Sequence, residues 1–404
     1  MEDLPSELVF DIFSRLPVKT LLQLRCVSKA WCGMVDDPCV AYMHVSRATE
    51  RPSLLLLTRP AHVSKSNTTN LYPAIGNGGT MMASKDAIAQ LSISHRYSLE
   101  DSFNGLLCFA PQPHSSSDGG LAFLLNPVRG DIITLPRTTT PSPVDYGHMY
   151  ALGFDPSTKE YKVVHVFYQG FDPDNQAFSL GAEVYSLGTQ LWRKVSSGPP
   201  QPLCGRPVHA FGALHWKVNT VLASEELDDL IITFDIGKEQ FSTTPGPGFG
   251  LKNYELVDLV ELNGCLSVVD VSFNTHIEVW VLKDFVSKQW IRQNTITINA
   301  PDGKSNNGHL KAVGLWGHGE ILLASSNDSF FSYDPKTNGL RYVHVSGLAP
   351  DTSISHVCSH KASLVSLDAF GTKRDAQWLI RGRENAAAST QMLQRGSGSH
   401  NIQE

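Results

Sequence analysis

The sequence predicts a small N-terminal head of three helices, residues 1–45, followed by a large all-β body of propeller-like architecture, residues 50–370. Three observations predict it. Apolar residues near the start recur at helical spacing, Leu4, Leu8, Ile12 and Leu16 standing four apart. Beyond residue 50 a strand–turn–strand pattern returns about every 50 residues, the period of blade-like sheet repeats. The composition, 32 Gly and 23 Pro in 404 residues with only 18% charged, suits a turn-rich β protein.

In the head, Val9 and Phe13 add a second apolar stripe beside the first. Pro5 fits the first turn of a helix, where its missing N–H costs nothing, and Pro17 closes that helix. A second short helix carries Leu21, Leu22 and Leu24. Ser28 is placed as the N-cap of a third, with Trp31, Met34 and Val35 on its face, and Asp36-Asp37-Pro38 stops it. A unit of about 40 residues rarely buries enough surface to stand alone without a metal, a disulfide or a partner. Part of its apolar face must therefore be covered, either by the chain's own body or by another protein.

The body opens on the buried strand Ser53–Thr58. The first clear repeat joins Asn104-Gly105 and Leu106–Phe109 to Phe123–Pro127 and Ile132–Pro136. A second runs from Tyr150 through the turn at Asp155-Pro156 to Trp192–Val195. A third spans Gly212 to Phe241, a fourth Asn263 to Trp290, and a fifth Gly319 to Val345. The Asn-Gly and Asp-Pro pairs are turn chemistry between strands. Single four-stranded sheets cannot cover their own faces, so such units stack around an axis. With the strand near Leu54 and a terminal stretch from His356 to Leu367 supplying one more, about six blades are expected, with five to seven open; a β-sandwich is the second choice. Past Gly371 the pattern is lost, and residues 371–404, rich in Ala, Ser, Gly and Gln, read as a largely disordered tail.

The net charge of −6 lacks the basic excess of a nucleic-acid groove. No apolar run approaches the roughly 18 residues that span a membrane, and the acidic residues near the start interrupt any signal-like core. The chain is expected in the cytoplasm, the nucleus or both. Seven scattered cysteines without a C-x-x-C pair give neither a disulfide framework nor a zinc ribbon. His356 and His360 lie four apart in strand-like sequence, about 13 Å, too far for one metal. Gly246–Gly250 and Gly314–Gly319 lack the lysine or spacing of a phosphate loop and read as turns. The acidic group Glu225, Glu226, Asp228 and Asp229 reads as a solvated loop. No catalytic residue, metal site or cofactor is predicted.

The stretch from Leu4-Pro5 through Arg15-Leu16-Pro17-Val18-Lys19 to Cys26-Val27-Ser28-Lys29-Ala30-Trp31 resembles an F-box of the plant type. The body resembles the F-box-associated domain of plant F-box proteins, through Leu125-Asn126-Pro127, Gly153-Phe154-Asp155-Pro156 with Tyr161–Val164, and Val184–Leu187 with Trp192-Arg193. The likeness is kelch-like, although paired glycines in each unit are missing. The resemblance implies a substrate-recognition adaptor of an SCF-type cullin–RING ubiquitin ligase, itself not an enzyme. Its head would dock to a Skp-type linker, and through it to a cullin, while the body holds an unknown target protein. Leu4, Pro5, Leu8, Ile12, Leu16 and Pro17 would lie at or near the linker surface. Leu21, Leu24, Val27 and Trp31 would shape that surface or hold the helices together, with Trp31 open between anchor and core. Candidate target-binding loops are Pro111–Gly120, Thr138–Gly147, Gly170–Gly181 and Ser196–Pro207. The competing reading is a propeller enzyme or glycan-binding domain that uses the head as an assembly contact; it requires convergent Tyr, His or acidic groups.

Overall fold

A computed structural model describes residues 5–47, 53–61, 68–77, 79–93, 97–112, 121–139, 147–174, 177–189, 191–223, 230–248, 256–273, 275–297, 310–317, 319–325, 329–368 and 370. The expected tail, residue Leu4 and the acidic group at 225–229 lie outside them.

The head has four short helices rather than three: α1 (Ser6–Phe13), α2 (Val18–Leu24), α3 (Lys29–Val35) and α4 (Pro38–Arg47). Ser28 caps α3 as expected, its hydroxyl accepting from the Trp31 amide at 3.2 Å. Asp36-Asp37-Pro38 ends α3 but also starts the extra helix. The Asp37 carboxylate accepts the Cys39 amide at 2.7 Å, and Pro38 sits at the first helical position, where it lacks a donor that would be orphaned anyway. An Asp-Pro pair is a stop and a start signal at once, and α4 shows the second use. It packs on α1 through Arg47, which pairs with Asp11 and donates to the Ser14 hydroxyl at 2.7 Å, and through His44 Nε2, which donates to the Leu16 carbonyl at 2.9 Å.

The body is all β. It opens with β1 (Ser53–Pro60), β2 (Thr69–Asn77), β3 (Thr80–Ala83) and β4 (Ala89–Leu91). Four antiparallel meanders of four strands follow. The first is β5 (Tyr97–Phe103), β6 (Leu106–Pro111), β7 (Phe123–Asn126) and β8 (Asp131–Thr134). The second is β9 (His148–Asp155), β10 (Glu160–Asp172), β11 (Ala177–Ser186) and β12 (Arg193–Lys194). The third is β13 (Leu203–Ala210), β14 (Ala213–Val218), β15 (Leu230–Asp235) and β16 (Gln240–Pro245). The fourth is β17 (Val257–Leu262), β18 (Cys265–Asp270), β19 (His276–Asp284) and β20 (Gln289–Thr297). The chain ends with β21 (Leu310–Trp316), β22 (Glu320–Ser325), β23 (Phe330–Asp334), β24 (Gly339–Ser346) and β25 (Thr352–His360).

The last five strands and the first four form one nine-stranded sheet, because β24 pairs in parallel with β3 and β25 pairs antiparallel with β1. The first strand of each meander, with β21 and β25, touches the next in the series, and β25 touches β5. These six strands therefore close a ring. The anticipated pairing of the first strand with the last is present, Leu55 standing opposite Cys358. However, β25 stops at His360: Leu364 and Leu367, expected in the same blade, leave the sheet and pack elsewhere.

Each expected repeat started one strand too late, except the second. The strands missed are β5, β13, β17 and β21, all in the ring. Their sequence signal is weak because one edge of the ring faces a cavity, so Asp101, Arg206, Asp258 and Lys311 interrupt the apolar alternation. The turns were legible. Asn104-Gly105, Phe211-Gly212 and Asn263-Gly264 all hold positive φ at both residues, the geometry of a tight hairpin between first and second strands. A second turn recurs at Asn126, Asp155, Asp235, Asp284 and Asp334. Each side chain accepts an amide two or three residues on, for example Ser157 at 2.9 Å and Lys336 at 2.9 Å, and the fifth residue takes a positive φ.

Candidate functional site

The head is neither a free module nor fully covered. Phe13, Val18, Leu21, Val35, Val40 and Ala41 are buried in one apolar cluster that continues into the first two meanders and into Leu364, Val365 and Leu367. The Tyr42 ring packs at a tilt on Phe154, centroids 5.4 Å apart, and the Lys159 ammonium lies 6.0 Å from its centroid. The C-terminal stretch 361–368 is the filling between head and body. Asn126 Nδ2 donates to the carbonyls of Ser363 (3.0 Å) and Val365 (2.8 Å), and the Ser366 hydroxyl donates to Asp131 at 3.3 Å.

Charge locks this joint. Asp36, at the end of α3, accepts from Arg25 at 2.8 Å and from Arg129 of the body at 2.9 Å, and Arg129 also binds Asp131 at 2.8 Å. Arg129 is almost wholly buried, its side chain 4% exposed. Partial burial alone would push the Asp36 carboxyl up, but the hydrogen bonds from Arg25 and Arg129 hold it below its ordinary value.

With this side of the head occupied, the other remains open. Leu8 is 53% exposed, Ile12 49% and Val27 66%, and Pro5 and Pro17 are exposed as well. Leu8 and Ile12 are one turn apart on α1 and so share a face. Glu7, Arg15, Lys19 and Lys29 of the head are exposed as well. Single exposed apolar residues are ordinary, but a clustered apolar patch marks a contact site. Among the residues assigned to the linker surface, Leu21 is fully buried and serves the head's own core. Leu16, Leu24 and Trp31 are half-buried against the shared cluster, and the Trp31 ring packs on Phe13 with centroids 5.5 Å apart. Leu4 lies outside the described residues.

Of the four expected target-binding loops, the described part of Gly170–Gly181 is strand, β10 running to Asp172 and β11 starting at Ala177, and Ser196–Pro207 runs into β13 at Leu203. The head covers the end where first strands turn into second, at Phe103, Phe154 and Lys159. In an antiparallel meander the loops after second and fourth strands leave from the opposite end. The connections within Pro111–Gly120, Thr138–Gly147, Gly170–Gly181 and Ser196–Pro207 are of these two kinds. Residues 113–120, 140–146 and 175–176 fall outside the described set. Gly317 and Gly319 form the turn between β21 and β22, and Gly246 follows β16, so the described parts of the two glycine-rich runs are connections.

A second constellation was invisible in the sequence. The ring cavity, about 990 Å³, is lined by Asp101, Arg206, His209, Asp258, Lys311 and His356 among others. His209 Nε2 donates to Asp101 at 3.0 Å, and Asp101 also accepts the Leu152 amide of the neighbouring sheet at 2.7 Å. Asp258 does the same for Ala312 at 2.9 Å. Residues 108 apart in sequence carry no signal that they meet. The only local hint was a Gly-Arg-Pro run inside an otherwise strand-like segment.

Comparison with known proteins settles the family. The model described as "F-box associated beta propeller domain" matches residues 46–368, and an F-box-like model matches residues 1–48. The chain belongs to the F-box-associated β-propeller family. Its relatives include an F-box/kelch-repeat protein of Arabidopsis thaliana, 26% identical over 296 residues, covering 70% of this chain and 76% of the relative. Another F-box protein of that plant is 24% identical over 382 residues, covering 86% and 89%. F-box protein DOR, also from Arabidopsis thaliana, is 24% identical over 361 residues, again 86% and 89%. The F-box and the F-box-associated domain meet at residues 46–48, where the end of α4 leads towards β1.

Proposed function

We propose that this protein is a substrate-recognition adaptor of an SCF-type ubiquitin ligase. The single observation that carries the reading is the exposed stripe of Pro5, Leu8 and Ile12 on an F-box whose opposite side is already buried against the body. A free F-box would have apolar surface to hide on every side; here only one face is left for a partner. That partner is a Skp-type linker, and through it a cullin. The five sheets read as six blades, the nine-stranded sheet being two blades joined through β24 and β3. The propeller end facing away from the F-box holds the target protein.

The mechanism is proximity. Holding a target lysine beside a charged ubiquitin-conjugating enzyme turns transfer into an effectively intramolecular step, worth a high effective concentration without any catalytic residue of this chain. The joint around Arg129 matters here, because a fixed angle between F-box and propeller fixes where the target is presented. The protein would act in the cytoplasm, the nucleus or both.

A pull-down with a Skp-type linker tests the reading, using intact protein and a Leu8→Lys, Ile12→Lys double variant. Capture by the intact chain and loss in the variant is expected. Failure of the intact chain to bind removes the adaptor reading, and binding that survives both lysines moves the interface to another face.

A further inference from the structure

The cavity at the ring centre holds an arginine that the fold goes out of its way to place. Between Cys204 and Val208 the register of β13 against β14 slips, four steps on β13 matching two on β14 from Lys217 to His215. Gly205 stands inside this bulge at φ +73, and Arg206-Pro207 follow it. Bulges of this kind re-aim side chains and collect at sites of function. Here the guanidinium is carried across the ring: Nε donates to the Leu99 carbonyl on β5 at 3.0 Å, and Nη2 donates to His356 Nδ1 on β25 at 3.0 Å.

Neither partner is an anion, and among the described residues no carboxylate forms an ion pair with Arg206. The cavity's acids, Asp101, Asp258 and Glu261, all accept hydrogen bonds, Glu261 from the Gly264 amide. Asp101 accepts from His209, Leu152 and Ser102, and Asp258 accepts from Ala312. Lys311 lines the same cavity, exposed and without a described ion pair. For Nδ1 to accept from Arg206, His356 must be neutral. Burial, and then the positive charges of Arg206, Arg59 and Lys311, hold its pKa down at about 4. The lining carries four cations, Arg206, Lys217, Lys311 and Lys361, against the three carboxylates of Asp101, Asp258 and Glu261. Burial raises the carboxyls of Glu100, which faces Arg206, and of Asp258, which faces Lys311, so both acids offset these cations less than an exposed carboxylate would.

We propose that the cavity binds a small organic anion, phosphate- or carboxylate-bearing, with Arg206 as its anchor and Lys311 as the second cation. A guanidinium fits both groups in a two-point geometry. The volume of about 990 Å³ is at the upper end of small-ligand pockets. The site does not depend on the adaptor reading, since its residues lie within the propeller and not in the F-box.

The test uses the full chain in thermal-shift and calorimetric titrations with inorganic phosphate, pyrophosphate and citrate, each against sodium chloride at matched ionic strength. At least one anion gives a saturable rise in Tm of about 3–4 °C at a hundredfold excess over Kd. The order of phosphates against citrate distinguishes a phosphate ligand from a carboxylate one. Arg206→Gln weakens binding at least tenfold, Arg206→Lys retains part of it, and Lys311→Gln weakens it several-fold without changing the anion-free Tm. No saturable shift beyond the salt control with any of the three anions overturns the proposal and leaves Arg206 as a brace between sheets. Unchanged affinity in Arg206→Gln does the same. Should that variant fail to fold, unchanged affinity in Lys311→Gln overturns it instead.

Discussion

Replacing Arg129 by Met keeps the length of the side chain and removes the charge that ties the F-box to the propeller. Arg129 is 4% exposed and serves two carboxylates, Asp131 at 2.8 Å and Asp36 at 2.9 Å. Removing one partner of a buried pair typically costs about 3–5 kcal/mol, because the other charge stays behind uncompensated. Both carboxylates soften that figure to different degrees. Asp36 is 28% exposed and keeps Arg25 in hydrogen-bond contact, whereas Asp131 is 12% exposed and keeps the Ser366 hydroxyl, with Arg25 acting on it only through space. The expected cost is therefore about 2–4 kcal/mol, most of it at Asp131.

This energy holds a joint, so it appears as local opening. At 1.4 kcal/mol per tenfold, amide exchange in α3 and in 361–368 rises by roughly 30- to 700-fold, while β19 on the far side of the ring is unchanged. Hydrogen exchange read by mass spectrometry on the full chain measures both regions together. A second variant, Arg129→Met with Asp131→Asn, removes the orphaned charge and recovers about half of the loss. An increase below about threefold in α3 and 361–368 would refute the idea that this network fixes the F-box on the propeller.

Three further outcomes are expected. Gly105→Ala and Gly264→Ala change the same position of the same hairpin turn, at φ +77 and +83. At Gly264 a Cβ meets nothing within 4 Å, so the loss is about 1 kcal/mol, but at Gly105 it would stand 2.3 Å from Ser363 Cβ and 2.6 Å from the Lys361 carbonyl, adding about 1–3 kcal/mol; equal Tm losses would contradict the placement of 361–368. The Leu8→Lys, Ile12→Lys variant keeps its urea midpoint, each change staying within about 0.5 kcal/mol, because both side chains are already about half exposed and a lysine stem can cover the same surface. Asp155 is buried, which alone would raise its carboxyl, but Lys162 at 2.8 Å and the Ser157 hydroxyl and amide hold it far below the usual range. A depressed carboxyl contributes stability that is present above its unfolded pKa, about 3.9, and is lost as pH falls through the folded value. The acid limb of the stability curve should therefore be shallower below pH ~4 in Asp155→Asn than in the natural chain, as read by Tm against pH.

Legibility followed the range of the interaction that each feature depends on. The α1 stripe, the Ser28 cap and the Asx and Asn-Gly turns were readable because their partners lie within four residues. Pro38 was misread because the same dipeptide ends one helix and begins another, and only packing of α4 against α1 decides between them. The four missed strands line a cavity, so Asp101, Arg206, Asp258 and Lys311 stand where a buried strand would carry apolar residues. Val27 and Leu21 show the same limit within the F-box. Both read alike, as apolar residues that either shape the linker surface or hold the helices together, yet one is 66% exposed and the other fully buried.

By itself, then, the sequence determined the F-box, the sheet repeats and the turns between neighbouring strands, all products of local periodicity and backbone preference. The tertiary structure decided which side of the F-box is spent on the propeller and which stays exposed. It also decided that residues 361–368 fill the joint and that Arg206 reaches Leu99 and His356 across the ring. Those contacts join residues 107 and more apart, and a chain position says nothing of such a neighbour until the sheets have closed the circle.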